Sequence, residues 1–241
     1  MFKAKQGEIK IYTDGANLDS IIKLANDDLI DGITTNPTLM RGAGVINYMN
    51  FAAAAVSAAR GKSISLEVFA DNHNEMIKQA KILSSLGTNV KVKIPIVNSK
   101  GISSISVIEE LLNMNIQINI TAVLTRVQIE ECLMIHNTNN DIYISIFAGR
   151  IADTGKDPTL IFKEFKKKIK KNNKKNISLL WASTREVFNV YQAIDCGCDI
   201  ITLTPELISK LRLKDYDLTK FSLETVQMFK RDSDLADYFI E

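Results

Sequence analysis

The sequence predicts an α/β fold, a (β/α)8 or TIM barrel, in which eight parallel strands are surrounded by helices. Eight short β-type runs alternate with helical segments, and the length of 241 residues is close to the roughly 250 that this fold usually takes. No linker-like stretch or change in composition divides the chain, so we expect residues 1–241 to form a single domain. A doubly wound open sheet is the alternative, but its Gly-rich phosphate loop after an early strand is missing from the sequence.

The predicted strands are short runs of four to seven residues that hold many β-branched side chains. They are residues 9–12, 32–35, 63–69, 89–94, 116–120, 142–147, 177–181 and 199–203.

The segments between them have apolar residues at helical spacing. They are residues 18–29, 48–59, 72–85, 103–114, 125–135, 157–171, 185–194 and 205–211. Asn17 and Asp19 are N-cap candidates for the first helix, and Pro158 falls where a first-turn proline is tolerated. Residues 221–239 predict an extra C-terminal helix that packs on its own barrel or on a neighbouring copy, so a homo-oligomer is an open expectation.

The charge balance argues against nucleic acid as a partner. Lys and Arg number 30 against 28 acidic residues, which leaves a net charge of +2. The Lys-rich stretch 163–175 fits a solvated helix face, because Phe162, Phe165 and Ile169 share the opposite, apolar face. On the basic side of this helix, no aromatic residue or Arg is interleaved with the lysines for base stacking.

The sequence also indicates a cytoplasmic protein that needs no metal. Its longest small-apolar stretch, residues 51–59, is far shorter than the roughly 20 residues of a membrane span. Residues 1–10 carry charges and no apolar run, unlike a signal peptide. Cys132, Cys196 and Cys198 are an odd set that completes no zinc site, and we expect reduced thiols.

Polar residues recur where the predicted strands end, which is where such barrels hold their active sites. Burying these groups without partners would be costly, so a ring of them indicates a polar site. In chain order they are Asp14, Asn36, Glu67, Lys93, Asn119, Thr121, Ser145, Arg150, Ser183 and Arg185, with Phe147 among them.

Lys93 is the sharpest element of this ring. A lysine inside a barrel is desolvated, which favours the neutral amine, and that amine is suited to Schiff-base formation with a carbonyl. Lys91 shares its strand face and lies one layer deeper. We favour Lys93 because it is nearer the strand end, before Pro95. The alternative is a structural lysine paired with Asp14 or Glu67.

Neighbouring residues fit the same chemistry. Asp14 and Glu67 can divide the proton transfers that Schiff-base aldol chemistry requires, or they can balance the lysine charges. Asn36, Asn119 and Ser145 can hydrogen-bond the hydroxyls of a sugar. Two arginines after the sixth and seventh strands favour an anionic substrate, since a guanidinium binds phosphate with two parallel hydrogen bonds.

The motifs, taken in order, resemble the transaldolase family and its short fructose-6-phosphate-aldolase-like branch. They are YTDGAN, DGITTNPTL, SLEV, VKVKIP, INITAVLT, ISIFAGRI, WASTR and DIITLTPELI, and they span most of the chain. The resemblance implies that Lys93 forms the Schiff base, that Asp14 is the acid/base, and that Glu67 acts with a water held by Thr121. It further implies sugar-phosphate substrates and no cofactor. The implied substrate contacts are Asn36, Asn119, Ser145, Phe147, Arg150, Ser183 and Arg185.

Within the family, Glu67 and Phe147 resemble transaldolases proper, because the aldolase branch typically has Gln and Tyr at these positions. We therefore expect a transferase, with a fructose-6-phosphate-aldolase-type enzyme as the alternative. A barrel that binds sugar phosphates without catalysis is the second alternative. The sequence departs from the family pattern at Lys91, Ile146 and Thr184, and the last two put the usual sugar substrates in question.

Overall fold

The computed structural model of the chain describes residues 9–136 and 140–240. Residues 1–8 lie outside it, and with them most of the charged N-terminal segment considered above.

The strands form a closed, all-parallel barrel in chain order, and β1 pairs with β8 to complete it. This confirms the predicted (β/α)8 barrel. The strands are β1 (Lys10–Asp14), β2 (Gly32–Thr34), β3 (Ser63–Glu67), β4 (Val90–Pro95), β5 (Ile118–Val123), β6 (Ile142–Ile146), β7 (Ile177–Trp181) and β8 (Ile200–Leu203).

The helices lie between and outside the strands. They are α1 (Leu18–Ala25), α2 (Pro37–Gly42), α3 (Tyr48–Ala58), α4 (His73–Ser84), α5 (Ile105–Asn113), α6 (Arg126–Met134), α7 (Ala148–Ala152), α8 (Thr159–Lys171), α9 (Phe188–Asp195), α10 (Pro205–Lys210) and α11 (Leu218–Leu235), with a 3-10 turn at Leu211–Leu213. Helices α2 and α7 were not expected, because six and five residues are too few to display a period.

Helix ends differ from the sequence expectation by a few residues. Asn17 is the N-cap of α1 and accepts a hydrogen bond from Ser20 N, whereas Asp19 lies in the first turn. The helix ends at Ala25, four residues before the expected 29. The C-terminal helix runs over Leu218–Leu235 and so begins and ends earlier than 221–239.

The main core lies between the strands and the surrounding helices, where Phe162 of α8 stacks on Trp181 of β7 at 4.9 Å. A smaller cluster fills the barrel around Tyr12 and Tyr143, whose hydroxyls are 3.1 Å apart. Gly32 makes room for it, because a Cβ there would lie 2.5 Å from the Tyr12 ring.

Helix α11 differs from the other long helices because none of its residues is buried. Its large apolar side chains, including Phe221 and Phe229, are exposed. The three cysteines are buried free thiols. Among the described residues, no helix has the length and apolar character required to cross a membrane.

Candidate active site

A cavity of about 470 Å³ opens at the carboxyl ends of the strands, where the parallel topology brings the polar strand ends together. Of the eleven residues singled out from the sequence, ten line this cavity. They are Asp14, Asn36, Glu67, Lys93, Thr121, Ser145, Phe147, Arg150, Ser183 and Arg185.

Lys93 lies on β4 with only 5% of its surface exposed. Its Nζ donates to the backbone oxygen of Thr35 at 2.7 Å and lies 2.9 Å from Oε2 of Glu67. A proton can therefore pass directly between the amine and this carboxylate.

Asp14 ends β1 and accepts a hydrogen bond from Thr34 Oγ1 at 2.9 Å. Thr34 in turn lies 2.6 Å from the hydroxyl of Thr202 on β8. Burial raises the pKa of Asp14 above its ordinary value, while the Lys93 charge and the Thr34 hydrogen bond oppose that rise and the Glu67 charge adds to it. A carboxylate with a raised pKa is a stronger base when ionised, which suits proton abstraction from a hydroxyl.

Asn119 is the one predicted residue that does not line the cavity. It is fully buried beneath it, where Nδ2 donates to Ser65 Oγ at 3.0 Å and Oδ1 accepts from Ser145 Oγ at 2.7 Å. Both ends of the amide are thus engaged. In this arrangement Asn119 fixes the orientation of Ser145, and Ser145 reaches the cavity.

Two further polar residues are Asn36, which follows β2, and Thr121, which lies on β5. Asn36 caps α2 by accepting from Leu39 N at 3.0 Å, and this bond holds the Asn36 side chain at the cavity. Thr121 has a buried hydroxyl without a hydrogen-bond partner among the described residues. The next residue, Ala122, has φ +58°, and the β5–β6 register shifts here. The strand therefore turns at this point and presents the Thr121 hydroxyl to the cavity.

Two arginines lie at the mouth of the cavity. The Arg150 guanidinium is 5.8 Å from the centre of the Phe147 ring. Arg185 is paired with Asp153, through Nε to Oδ1 at 3.2 Å and Nη2 to Oδ2 at 2.6 Å. Both arginines remain accessible, as an anion site requires.

Sequence reasoning missed three residues that support this site. Thr34 donates to Asp14 and is itself in contact with the Thr202 hydroxyl, and the position of both threonines at strand ends was a usable signal. Asp153 had no such signal, because it follows a five-residue helix and meets Arg185 across 32 positions of sequence. No cluster of three or more potential metal-ligating His, Cys, Asp or Glu side chains occurs within 9–136 and 140–240.

Comparison with known proteins gives a consistent assignment. The family model described as Transaldolase/Fructose-6-phosphate aldolase matches residues 11–238. A probable transaldolase of Nitrosopumilus maritimus is 31% identical over 217 residues, which cover 90% of this chain and 92% of that protein. A probable transaldolase of Thermoplasma volcanium is 31% identical over 219 residues, covering 88% and 93%.

Solved structures resemble the chain in fold alone. A putative phosphonomutase from Burkholderia cenocepacia has a TM-score of 0.58 at 8% identity, covering 89% of this chain and 94% of that one. The orotidine 5'-monophosphate decarboxylase of Metallosphaera sedula has a TM-score of 0.53 at 12% identity, covering 85% and 95%.

Proposed function

The chain belongs to the transaldolase/fructose-6-phosphate aldolase family, and we propose that it is a transaldolase acting through a Schiff base on Lys93. It transfers a three-carbon dihydroxyacetone unit from a ketose phosphate to an aldose phosphate. The observation that carries the proposal is the buried Lys93 amine, 2.9 Å from Glu67 and in one cavity with Asp14. Such a reaction belongs to cytoplasmic sugar-phosphate metabolism of the pentose phosphate type.

The first half of the reaction attaches the donor. The neutral amine of Lys93 attacks the C2 carbonyl of the ketose phosphate and forms a carbinolamine. Glu67, with a water held by Thr121, supplies the proton with which the C2 hydroxyl leaves as water. An iminium ion remains, with its nitrogen bonded to C2.

The second half breaks and remakes a carbon–carbon bond. Asp14 takes the proton of the C4 hydroxyl, the C3–C4 bond breaks, and its electron pair moves into the iminium to form an enamine. The aldose phosphate leaves as an aldehyde. A second aldose phosphate then accepts the enamine carbon, Asp14 returns the proton, and water releases the new ketose from Lys93.

The remaining residues hold the substrate. Asn36 and Ser145 are placed to hydrogen-bond the hydroxyls of the three-carbon unit, with Asn119 supporting Ser145 from below, and Ser183 joins the two arginines in binding the phosphate. Arg150 and Arg185 at the mouth bind the phosphate, for which a guanidinium is better suited than an ammonium. This reaction needs no metal or organic cofactor.

Borohydride trapping tests the proposal. Fructose 6-phosphate and borohydride should leave a reduced adduct on Lys93, found by peptide mass after digestion. Lys93→Met should abolish the adduct and the transfer activity. Lys91→Met, which removes a lysine two positions away on the same strand, is the matched control and should retain both. A label on Lys91 or an active Lys93→Met variant would contradict the assignment, and no adduct on the wild-type protein would favour a non-catalytic barrel.

Phe147 separates the transferase from the aldolase. Its ring packs on the apolar cluster inside the barrel and lines the same cavity as Glu67 and Thr121. A phenyl ring offers no hydroxyl to a water that would protonate and hydrolyse the enamine, so the enamine persists until an acceptor arrives. Phe147→Tyr should raise the release of dihydroxyacetone from fructose 6-phosphate without acceptor, relative to transfer. Rapid release by the wild-type protein would favour the aldolase instead.

A further inference from the structure

The Arg185 guanidinium is held along one edge. Asp153 accepts from Nε at 3.2 Å and from Nη2 at 2.6 Å, so its two oxygens face two parallel N–H groups. This geometry occupies two of the five N–H groups of the side chain. The second edge, formed by Nη1 and the other N–H of Nη2, keeps the geometry that binds a phosphate with two hydrogen bonds.

The rest of Arg185 is fixed as well. Its backbone N–H donates to Oδ1 of the buried Asn189 at 2.9 Å, and the next backbone N–H, of Glu186, donates to the same oxygen at 3.2 Å. The stem passes close to Gly149 of α7. A Cβ there would lie 3.2 Å from Arg185 Cγ and 1.7 Å from the backbone oxygen of Ser183. Glycine therefore lets α7 approach the β7–α9 loop closely enough for Asp153 to reach Arg185.

Asp153 also lies within the field of Arg150. Its hydrogen bonds with Arg185 hold the pKa of the carboxyl below its ordinary value, and the Arg185 and Arg150 charges act in the same direction. The carboxylate is therefore ionised at neutral pH. One carboxylate thus pairs with Arg185 and also interacts with the charge of Arg150.

We propose that Asp153 is a positioning residue for phosphate recognition: it clamps the Nε–Nη2 edge of Arg185 and leaves the other edge for the substrate phosphate. This rests on the proposed function, in which Arg185 binds phosphate. A free arginine side chain loses rotamer entropy when it is immobilised on binding. A guanidinium that is already held loses less of it, so the phosphate binds more tightly.

Asp153 also has an effect that opposes phosphate binding. A carboxylate beside a phosphate repels it and competes with it for the guanidinium, which would weaken binding. The observed pair favours positioning, because the two oxygens of Asp153 take only one edge and leave three N–H groups available.

Asp153→Asn separates the two effects. The same acceptor is compared with and without its phosphate, as erythrose 4-phosphate and erythrose, and inorganic phosphate binding is measured by calorimetry. We expect the KM for erythrose 4-phosphate and the Kd of inorganic phosphate to rise about threefold to tenfold, with kcat and the KM for erythrose unchanged. Asp153→Glu keeps the carboxylate and should restore most of the phosphate affinity. Glu130→Gln removes an equally exposed pair, with Lys168, and is the matched control.

Unchanged or tighter phosphate binding in Asp153→Asn would overturn the proposal, and tighter binding would identify Asp153 as a competitor. Equal losses with both acceptors would also overturn it, because they would indicate a merely structural role. The phosphate arm needs no turnover. If the wild-type protein formed no borohydride adduct while Asp153→Asn still weakened phosphate binding, the proposed reaction would fail and the anion-positioning role would stand.

Discussion

Lys91 is a second buried lysine of β4, and replacing it tests what burial of an amine costs in stability without changing the proposed catalytic lysine. It is 3% exposed, donates to Gln117 Oε1 at 2.7 Å and lies 4.3 Å from the centre of the Tyr143 ring. Burial lowers its pKa from 10.5 to about 8, with the Lys10 charge adding to this and the Asp141 charge opposing it. The folded protein therefore disfavours the charged form of this amine.

Because of Lys91, the folded protein should become less stable as the pH falls from 10.5 towards 8. In the unfolded chain the amine titrates near 10.5, and in the folded protein near 8. Above 10.5 the amine is neutral in both states and costs nothing. As the pH falls towards 8, the unfolded chain binds the proton first and the folded protein loses stability. At 1.36 kcal/mol per pKa unit, the difference corresponds to a loss of about 3 kcal/mol, an upper figure because the Tyr143 ring also favours the cation.

Lys91→Met removes this titration and keeps an apolar side chain of similar length. The stability of the variant relative to wild type should therefore fall by about 2–3 kcal/mol between pH 7.5 and 10.5. The variant also loses the hydrogen bond from Lys91 to Gln117, and this lowers its free energy of unfolding by an amount that does not depend on pH. Urea unfolding followed by circular dichroism at several pH values measures the change, with the exposed Lys171→Met as control. A stability difference that stays constant over this range would refute the reasoning.

Three further outcomes are expected. Arg150→Ala should raise the KM for erythrose 4-phosphate roughly tenfold and leave the KM for erythrose unchanged, because charged hydrogen bonds contribute about 1.5–3 kcal/mol before exposure reduces them. An equal rise in both KM values would indicate that Arg150 has a structural role. Thr34→Val removes the hydroxyl that donates to Asp14, so the pKa of Asp14 should rise further. The acid limb of the pH profile of kcat/KM should then move to higher pH, and an unchanged limb would contradict the role of Asp14 as the base. No residue of α11 is buried on its own barrel and Phe229 is 62% exposed, which favours packing on a second copy of the chain, so Phe229→Glu should lower the mass measured by light scattering without loss of helical signal; a monomeric wild type would contradict this.

The barrel was predictable because its signal repeats. Eight strands and the helices between them give a period that survives errors at single boundaries, such as α1 ending at Ala25 rather than 29. Helices α2 and α7 carry no such signal, since neither is long enough to show an apolar face. They nevertheless place Asn36 as a cap and Asp153 beside Arg185.

Most of the candidate site was predictable from the position of its residues near strand ends. Strand ends of a parallel barrel converge, so a polar residue within about two positions of a strand end lies at the cavity. Asn119 pairs in register with Lys93, but its shorter side chain is fully buried and held by Ser65 and Ser145, so it does not reach the cavity. The Asp153–Arg185 pair joins two loops that no periodic pattern connects.

The position near the strand end already favours Lys93 over Lys91 from sequence alone, and the structure adds the surroundings of the two amines, which share one face of β4 and are both buried. Their hydrogen-bond partners differ in kind. Lys93 is 2.9 Å from a carboxylate of Glu67, which can take the proton that an ammonium must lose before it attacks a carbonyl. Lys91 donates to the amide oxygen of Gln117, a very weak base, and has no ion pair among the described residues. We therefore expect the Lys93–Glu67 pair to be compatible with the nucleophilic role proposed for Lys93, because the two groups are close enough to exchange a proton and the amine lines the cavity that the substrate carbonyl would enter.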